Sequence, residues 1–209
     1  MQYDVLNNKG EKVRSIELND VIFNAKVNQD LIYRAVVAEQ ANRRPGTAFF
    51  KNRALVKMTT KKMYKQKGTG NARHGAASVN IFVGGGAAFG AQRHNYKKNL
   101  PRKMKSAALR SLLSLKVQKG QLRILDRFDV PTGKTREMVS SLGSVRQTDR
   151  NCLLVIDRKD AALVVRASRN IGSLAFTDYR QLSADALYGS AEVVLDSATA
   201  EKINAMKWE

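Results

Sequence analysis

One cysteine in 209 residues, Cys152, rules out an internal disulfide and a cysteine-based zinc site. It lies in the apolar run Asn151-Cys152-Leu153-Leu154-Val155-Ile156, so a small core hydrophobe on a buried strand is expected, in a reducing, cytoplasmic setting. No run of about eighteen apolar residues occurs, and no segment is expected to cross a membrane. The first residues, Met1-Gln2-Tyr3-Asp4-Val5, carry neither a basic nor a long apolar stretch, so no signal peptide is expected. Asp4 and Glu11 argue against a mitochondrial transit peptide. Internal repeats and low-complexity tails are also missing.

The most informative absence is acid. After Glu39 the next carboxylate is Asp126, so the 86 positions 40–125 hold no Asp or Glu. They hold 20 Lys and Arg, whereas the rest of the chain holds 17 basic and 18 acidic residues. The whole net charge of +19 therefore sits in one continuous stretch. A solvated face normally mixes signs. A polycation beside a near-neutral body implies a polyanionic partner.

What is present resolves into two patterns. With 43% hydrophobic residues the chain can bury a core, and its length suits one domain. Residues 3–6 and 12–16 alternate weakly around Asn8 and Gly10, as in a short hairpin. Leu31, Ile32, Ala35 and Val36 recur at helical spacing over 29–42, ended by Arg44-Pro45-Gly46. After Pro101, the residues Met104, Ala108, Leu112 and Leu115 share a helical face, with Gly120 as a stop. Strand candidates then follow at 122–125, 152–156, 174–177 and 192–195. Helix candidates cover 134–142, 161–168, 183–187 and 198–206. Short strands separated by helices predict an α/β fold, a mostly parallel sheet covered by helices.

The second pattern is residues 43–99, a long extended basic loop inserted between the first two long helices of a single α/β domain over 1–209. It is too long for an ordinary connection. Gly46, Gly68, Gly70, Gly75, Gly84, Gly85, Gly86 and Gly90 make it glycine-dense, and Phe49, Phe50, Tyr64, Phe82, Phe89 and Tyr96 punctuate it. Such a segment cannot bury enough apolar surface to fold alone, so order is expected on binding a polyanion. Lys51, Arg53, Lys57, Lys61, Lys62, Lys65, Lys67, Arg73, Arg93, Lys97, Lys98, Arg102, Lys103 and Lys105 can pair with phosphates. Gly68-Thr69-Gly70 offers backbone N–H groups that a phosphate can approach closely. Tyr64, His74 and Phe82 are placed to stack on unpaired bases.

At these residues the sequence resembles a known family. Lys61-Lys62-Met63-Tyr64-Lys65-Gln66-Lys67-Gly68-Thr69-Gly70-Asn71-Ala72-Arg73-His74-Gly75 is similar to the loop tip of the bacterial large-subunit ribosomal proteins of the L-four family. Gly84-Gly85-Gly86-Ala87-Ala88-Phe89-Gly90 resembles that family's second loop motif, and the stretch 100–114 resembles its following helix. Many relatives carry Pro-Trp in place of Met63-Tyr64 and Arg in place of Asn71. The resemblance implies a structural role in the large subunit, with large-subunit ribosomal RNA and the neighbouring protein L-twenty-two as partners. It implies that the loop penetrates the RNA and supports assembly. Gln66, Lys67, Gly68, Thr69 and Gly70 would line the constriction of the peptide exit tunnel, with Lys61, Lys62, Lys65, Arg73 and His74 holding its flanks. Some relatives also repress their own operon by binding messenger RNA.

Enzyme readings fail on residues. A dinucleotide fingerprint starting at Gly84 would need glycine where Phe89 stands. Gly133-Lys134-Thr135 resembles the end of a phosphate loop, but Phe128 occupies the place of its first glycine. Asp126, Asp157, Asp178 and Asp196 fall at strand ends, where α/β enzymes place catalytic groups, yet helix capping (Asp196) and turns (Asp157, Asp160) explain them as well. His74 and His94 have no nearby carboxylate in sequence. An RNA-modifying enzyme would need a glycine loop after the first parallel strand, and Arg127-Phe128-Asp129-Val130-Pro131 has none. We therefore expect no catalysis, no metal and no cofactor.

Overall fold

The computed structural model describes residues 1–128, 130–146, 150–158, 161–206 and 208. Strands β1 (Gln2–Leu6) and β2 (Lys12–Glu17) form the expected antiparallel hairpin. The Asn7 side chain accepts from Lys9 N and Glu11 N at 2.9 Å each, and Gly10 takes φ 82° to close the turn. Helix α1 (Asp20–Phe23) has no counterpart in the sequence reading, because one turn is too short to show a period. The Asn19 side chain caps it, accepting from Val21 N at 3.0 Å, and Ile22 and Phe23 are buried.

Helix α2 (Gln29–Arg43) buries Ile32, Ala35, Val36 and Ala38, and helix α3 (Arg102–Gln118) buries Ala108, Leu112 and Leu113. Beyond Pro101 and before Gly120 (φ 64°), α3 stops where the sequence places its ends. Then come β3 (Leu122–Leu125), α4 (Thr135–Gly143), β4 (Cys152–Ile156), α5 (Ala162–Ser168) and β5 (Leu174–Asp178). After a 3-10 turn at Tyr179–Gln181 follow α6 (Ala184–Gly189), β6 (Glu192–Asp196) and α7 (Ser197–Asn204). All the expected strands and helices of this alternation are present, with ends shifted by one or two residues.

The six strands form one sheet in the order β2-β1-β3-β6-β4-β5. Only the β1–β2 pairing is antiparallel. Side chains of β4 alternate between two clusters: Leu153 and Val155 pack with Leu113, Leu187 and Ile203, whereas Cys152, Leu154 and Ile156 pack with Met138, Leu142 and Ala167. Helices on both faces explain why β4 and β6 are near-continuous apolar runs. Burial pushes the Cys152 thiol up to about 12, which makes it inert core.

The strand-end aspartates have structural partners. Asp126 pairs with Arg14 at 3.0 Å, and Asp178 accepts from Arg180 N at 3.0 Å. Asp157 is buried and pairs with Lys202 at 2.7 Å, so it is more than a turn residue. Asp196 stands at the N-cap position of α7 but makes no side-chain cap hydrogen bond, which corrects the capping role expected for it. Asp160 lies outside the described residues.

By its internal packing the chain divides into two compact units, Met1–Ala41 with Lys98–Glu209, and Asn42–Lys97. The first is the α/β body; we call the second the arm.

Candidate nucleic-acid interface

No helix or strand is present between the end of α2 and the start of α3. The arm nevertheless has a defined path as two legs joined by backbone hydrogen bonds. His94 N donates to Gly46 O at 3.3 Å, Phe50 N to Ala91 O at 2.8 Å, Ala87 N to Lys51 O at 2.9 Å and Met63 N to Gly75 O at 3.0 Å. The Tyr64 hydroxyl closes the last rung by donating to the Ala72 carbonyl. The pairing holds the two legs side by side. Long-range rungs between legs of irregular backbone leave no periodic trace in sequence.

Glycine makes the close approach possible. A Cβ on Gly86 would sit 2.4 Å from Arg53 N, one on Gly85 2.0 Å from Val79 O, and one on Gly90 2.5 Å from Phe50 Cβ. The glycine-rich stretch 84–90 is therefore where the returning leg folds against itself and the outgoing leg. At the apex the reason differs. Gly68 and Gly70 take φ 85° and 65°, and a Cβ on either would meet nothing within 4 Å. These two are needed for a left-handed turn, and their backbone faces open space.

The expected RNA-facing residues fall into two sets. Lys51, Arg53, Lys57, Lys61, Lys62, Lys65, Gln66, Lys67, Gly68, Thr69, Gly70, Arg73, Arg93 and Lys97 are exposed on the arm. Lys98, Arg102, Lys103 and Lys105 belong to the body and are exposed at the start of α3, whose first turn holds no acid. Lys62 Nζ donates to Gln66 Oε1 at 2.6 Å, tying one flank to the apex. The aromatic residues expected to stack on bases are half-buried and touch each other. Tyr64 and His74 meet edge-on at 6.2 Å between ring centroids, and His74 and Phe82 at 4.8 Å. They brace the two legs, with only part of each ring face left for a base.

Several basic groups do other work. Arg44 lies over the Tyr96 ring at 4.1 Å and Arg93 over Phe49 at 5.7 Å, so two cation–π pairs brace the base of the arm. Arg44 and Tyr96 were missed as a pair because Arg44-Pro45 reads only as a helix stop. Lys116 shares the acid-free stretch but is buried, donating to the carbonyl of Ser190 and to Gln121 Oε1, and burial lowers its pKa. The last acid before the stretch, Glu39, accepts from Ala184 N and Asp185 N at 3.1 and 2.8 Å, fixing α2 to the start of α6.

An α/β body also offers a cleft at the carboxyl ends of its strands, here about 740 Å³ and lined by Asp126, Asp157, Asp196 and Lys202. Asp126 and Asp157 are held by Arg14 and Lys202, and among the described residues no three potential metal ligands gather anywhere. Burial pushes the Asp196 carboxyl up to about 6.

Together these features define a class: an α/β protein with a glycine-rich cationic arm inserted between two long helices. The chain belongs to the ribosomal protein L4/L1 family, whose profile matches residues 16–206. It is 41% identical over 199 residues to the large ribosomal subunit protein uL4 of Treponema denticola, covering 95% of this chain and 93% of that one. The uL4 of Mycoplasma capricolum is 36% identical over 201 residues, 96% of each chain, and that of Brachyspira pilosicoli is 36% identical over 211 residues, 98% of each.

Proposed function

We propose that the chain is a non-enzymatic structural component of the large ribosomal subunit that grips large-subunit ribosomal RNA with its arm and the start of α3. One observation carries this reading. Over Asn42–Lys97 no hydrophobic side chain is buried and no carboxylate exists, yet the backbone follows a braced two-legged path. Apolar burial does not hold such a structure. Phosphates neutralising its exposed cations would, releasing condensed counterions as they do so. Lysines and arginines supply affinity along the flanks, and the open backbone at Gly68-Thr69-Gly70 admits close approach at the apex.

On the family resemblance, the apex residues Gln66, Lys67, Gly68, Thr69 and Gly70 line the narrow part of the peptide exit tunnel next to L-twenty-two. The arm is threaded into the RNA during subunit assembly, in the cytoplasm, without a cofactor. Repression of its own operon through messenger RNA is compatible with the same cations and forms a second role.

A photo-crosslinker placed at Lys67 or Arg73 tests the reading in assembled particles. Crosslinks to large-subunit RNA, and cofractionation with large subunits that RNase abolishes, are the expected results. Cofractionation that survives RNase, with crosslinks to protein alone, would overturn it. For the apex, Lys67→Glu should change sensitivity to tunnel-binding antibiotics while leaving the melting temperature unchanged; unaltered sensitivity would remove the tunnel assignment.

A further inference from the structure

Gly133-Lys134-Thr135 fails as a phosphate loop, yet the structure puts it to a related use. It opens α4 and forms one wall of an open cleft of about 750 Å³. Lys134, Thr135 and Arg136 line one side, and Arg166, Arg169 and Asn170, at the end of α5, line the other. Four of these six side chains are cationic, none is acidic and none is hydrophobic. All four cations are exposed, and among the described residues none is in an ion pair. Residues 126–209 hold 12 basic and 12 acidic residues, so a third of the local positive charge converges on one spot in a neutral region.

The placement is electrostatically lopsided. Arg166 in the last turn of α5 and Arg169 at its C-cap suit the negative end of a helix dipole. Lys134 and Arg136 do the opposite, standing at the N-cap position and in the first turn of α4, the positive end. Lys134 offers no side-chain cap hydrogen bond there. Glu137, the first-turn acid, accepts from Thr132 N at 3.1 Å and from the Thr132 hydroxyl, and its charge is felt by Lys134 but by none of the three arginines. Gly133 brings the two walls together: it takes φ 69°, and a Cβ there would come 3.2 Å from Leu163 Cδ2 and 3.7 Å from the stem of Arg166. Two of the four cations stand against a dipole, and all four repel one another unless an anion joins them.

We propose that this cleft is a second RNA-docking surface, on the α/β body, that holds the sugar–phosphate backbone by its phosphates. Three arginines present forked donors that match phosphate oxygens in pairs. A protein partner would want apolar or aromatic anchors, and the lining has none among the described residues. The inference rests on the RNA-binding reading above but names a surface outside the arm.

Full-length protein tests it, with binding to large-subunit RNA measured across a salt series. Arg166→Glu/Arg169→Glu should lower the slope of log affinity against log salt by roughly 1.4–1.8, as expected when two phosphates are no longer neutralised. At 0.1 M salt that is at least about 20-fold weaker binding. Arg166→Gln/Arg169→Gln, which removes the charge but keeps a polar side chain, should give a smaller drop in the same direction with an unchanged melt, and it stands in if the charge reversal disturbs folding. Wild-type slope and affinity in the glutamine variant would overturn the proposal while leaving the arm's role intact. Failure of the wild-type protein to bind RNA would overturn both. Binding to polyglutamate that the variant loses, with RNA binding untouched, would mark an acidic-protein surface and also overturn it.

Discussion

Body and arm are built from one chain by opposite means. In the body, Leu112, Leu113, Ile124, Leu154 and Val194 have no exposed surface. In the arm, Val83 and Phe89 are fully exposed, and the buried positions are Ser78 and Gly86. Apolar area removed from water holds the body. Backbone rungs, cation–π pairs and glycine approaches shape the arm, and each contributes on the order of 1 kcal/mol or less. Ordering a residue costs about as much as one such contact gives. The arm thus has geometry without a core, and the body has a core indifferent to RNA. The difference teaches that stability and affinity are separable here, and variants can set one against the other.

The sharpest separation removes the arm. Replacing 47–93 by a short glycine–serine linker should leave a cooperative thermal transition, because Gly46 O and His94 N already meet at 3.3 Å and the closure is unstrained. Affinity for large-subunit RNA should fall on the order of 10³-fold or more, because most of the phosphate-pairing cations go with the arm. A melt without a cooperative transition would end the view that the body is self-sufficient.

Next in size is a pair of apolar deletions. Leu154→Ala in the sheet should cost about 3 kcal/mol in denaturant unfolding, the usual range for a buried leucine. Phe89→Ala removes a larger side chain that is fully exposed, and it should cost less than about 0.5 kcal/mol. Comparable costs at the two positions would break the comparison.

Smaller still, and confined to the arm, is Gly86→Ala. Its Cβ would fall 2.4 Å from Arg53 N, a backbone atom that cannot swing aside, so the legs must part. Limited proteolysis should cut faster between 78 and 90, RNA affinity should drop by roughly tenfold, and the body's melt should not move. Gly68→Ala should do less, since only its φ of 85° is strained and the space beside it is open.

The same contrast explains what was legible in sequence. The strands of the body announce themselves because each buries residues on a fixed local period or as an apolar run, as in Cys152–Ile156. The arm announced itself by charge, since phosphate binding selects residue type over a whole stretch. Pairings between distant positions stayed hidden. Nothing near Gly86 points to Arg53, nothing near Tyr64 points to Ala72, and the convergence of Lys134 and Arg136 on Arg166 and Arg169 depends on how α4 and α5 pack. Lys116 was misleading for the same reason: composition marks it as one more cation, and only the fold turns it inward to Ser190. One-turn α1 fell below the length at which a helical period shows.

The smallest effect belongs to the body alone and should leave RNA binding untouched. Asp196 ends β6, and burial raises its carboxyl from an ordinary 3.8 to about 6; the Ser197 backbone N–H opposes this, the Asp126 charge adds to it, and Lys202 and Arg127 pull the other way. Asp157 faces the same cleft but is paired with Lys202. A carboxyl with a raised folded value binds more protons folded than unfolded between pH 3.8 and 6, so its contribution to stability falls as pH rises through that window and levels off above it. Asp196→Asn abolishes that loss. Against wild type the variant should gain little at pH 4 and roughly 1 kcal/mol at pH 7, a figure discounted for the partial exposure of the group. Denaturant melts at pH 4, 5, 6 and 7 read this out. A gain that is equal at every pH would mean the Asp196 carboxyl titrates alike folded and unfolded, and a loss that grows as pH rises would mean the carboxylate is held by a partner, which would return it to the capping role.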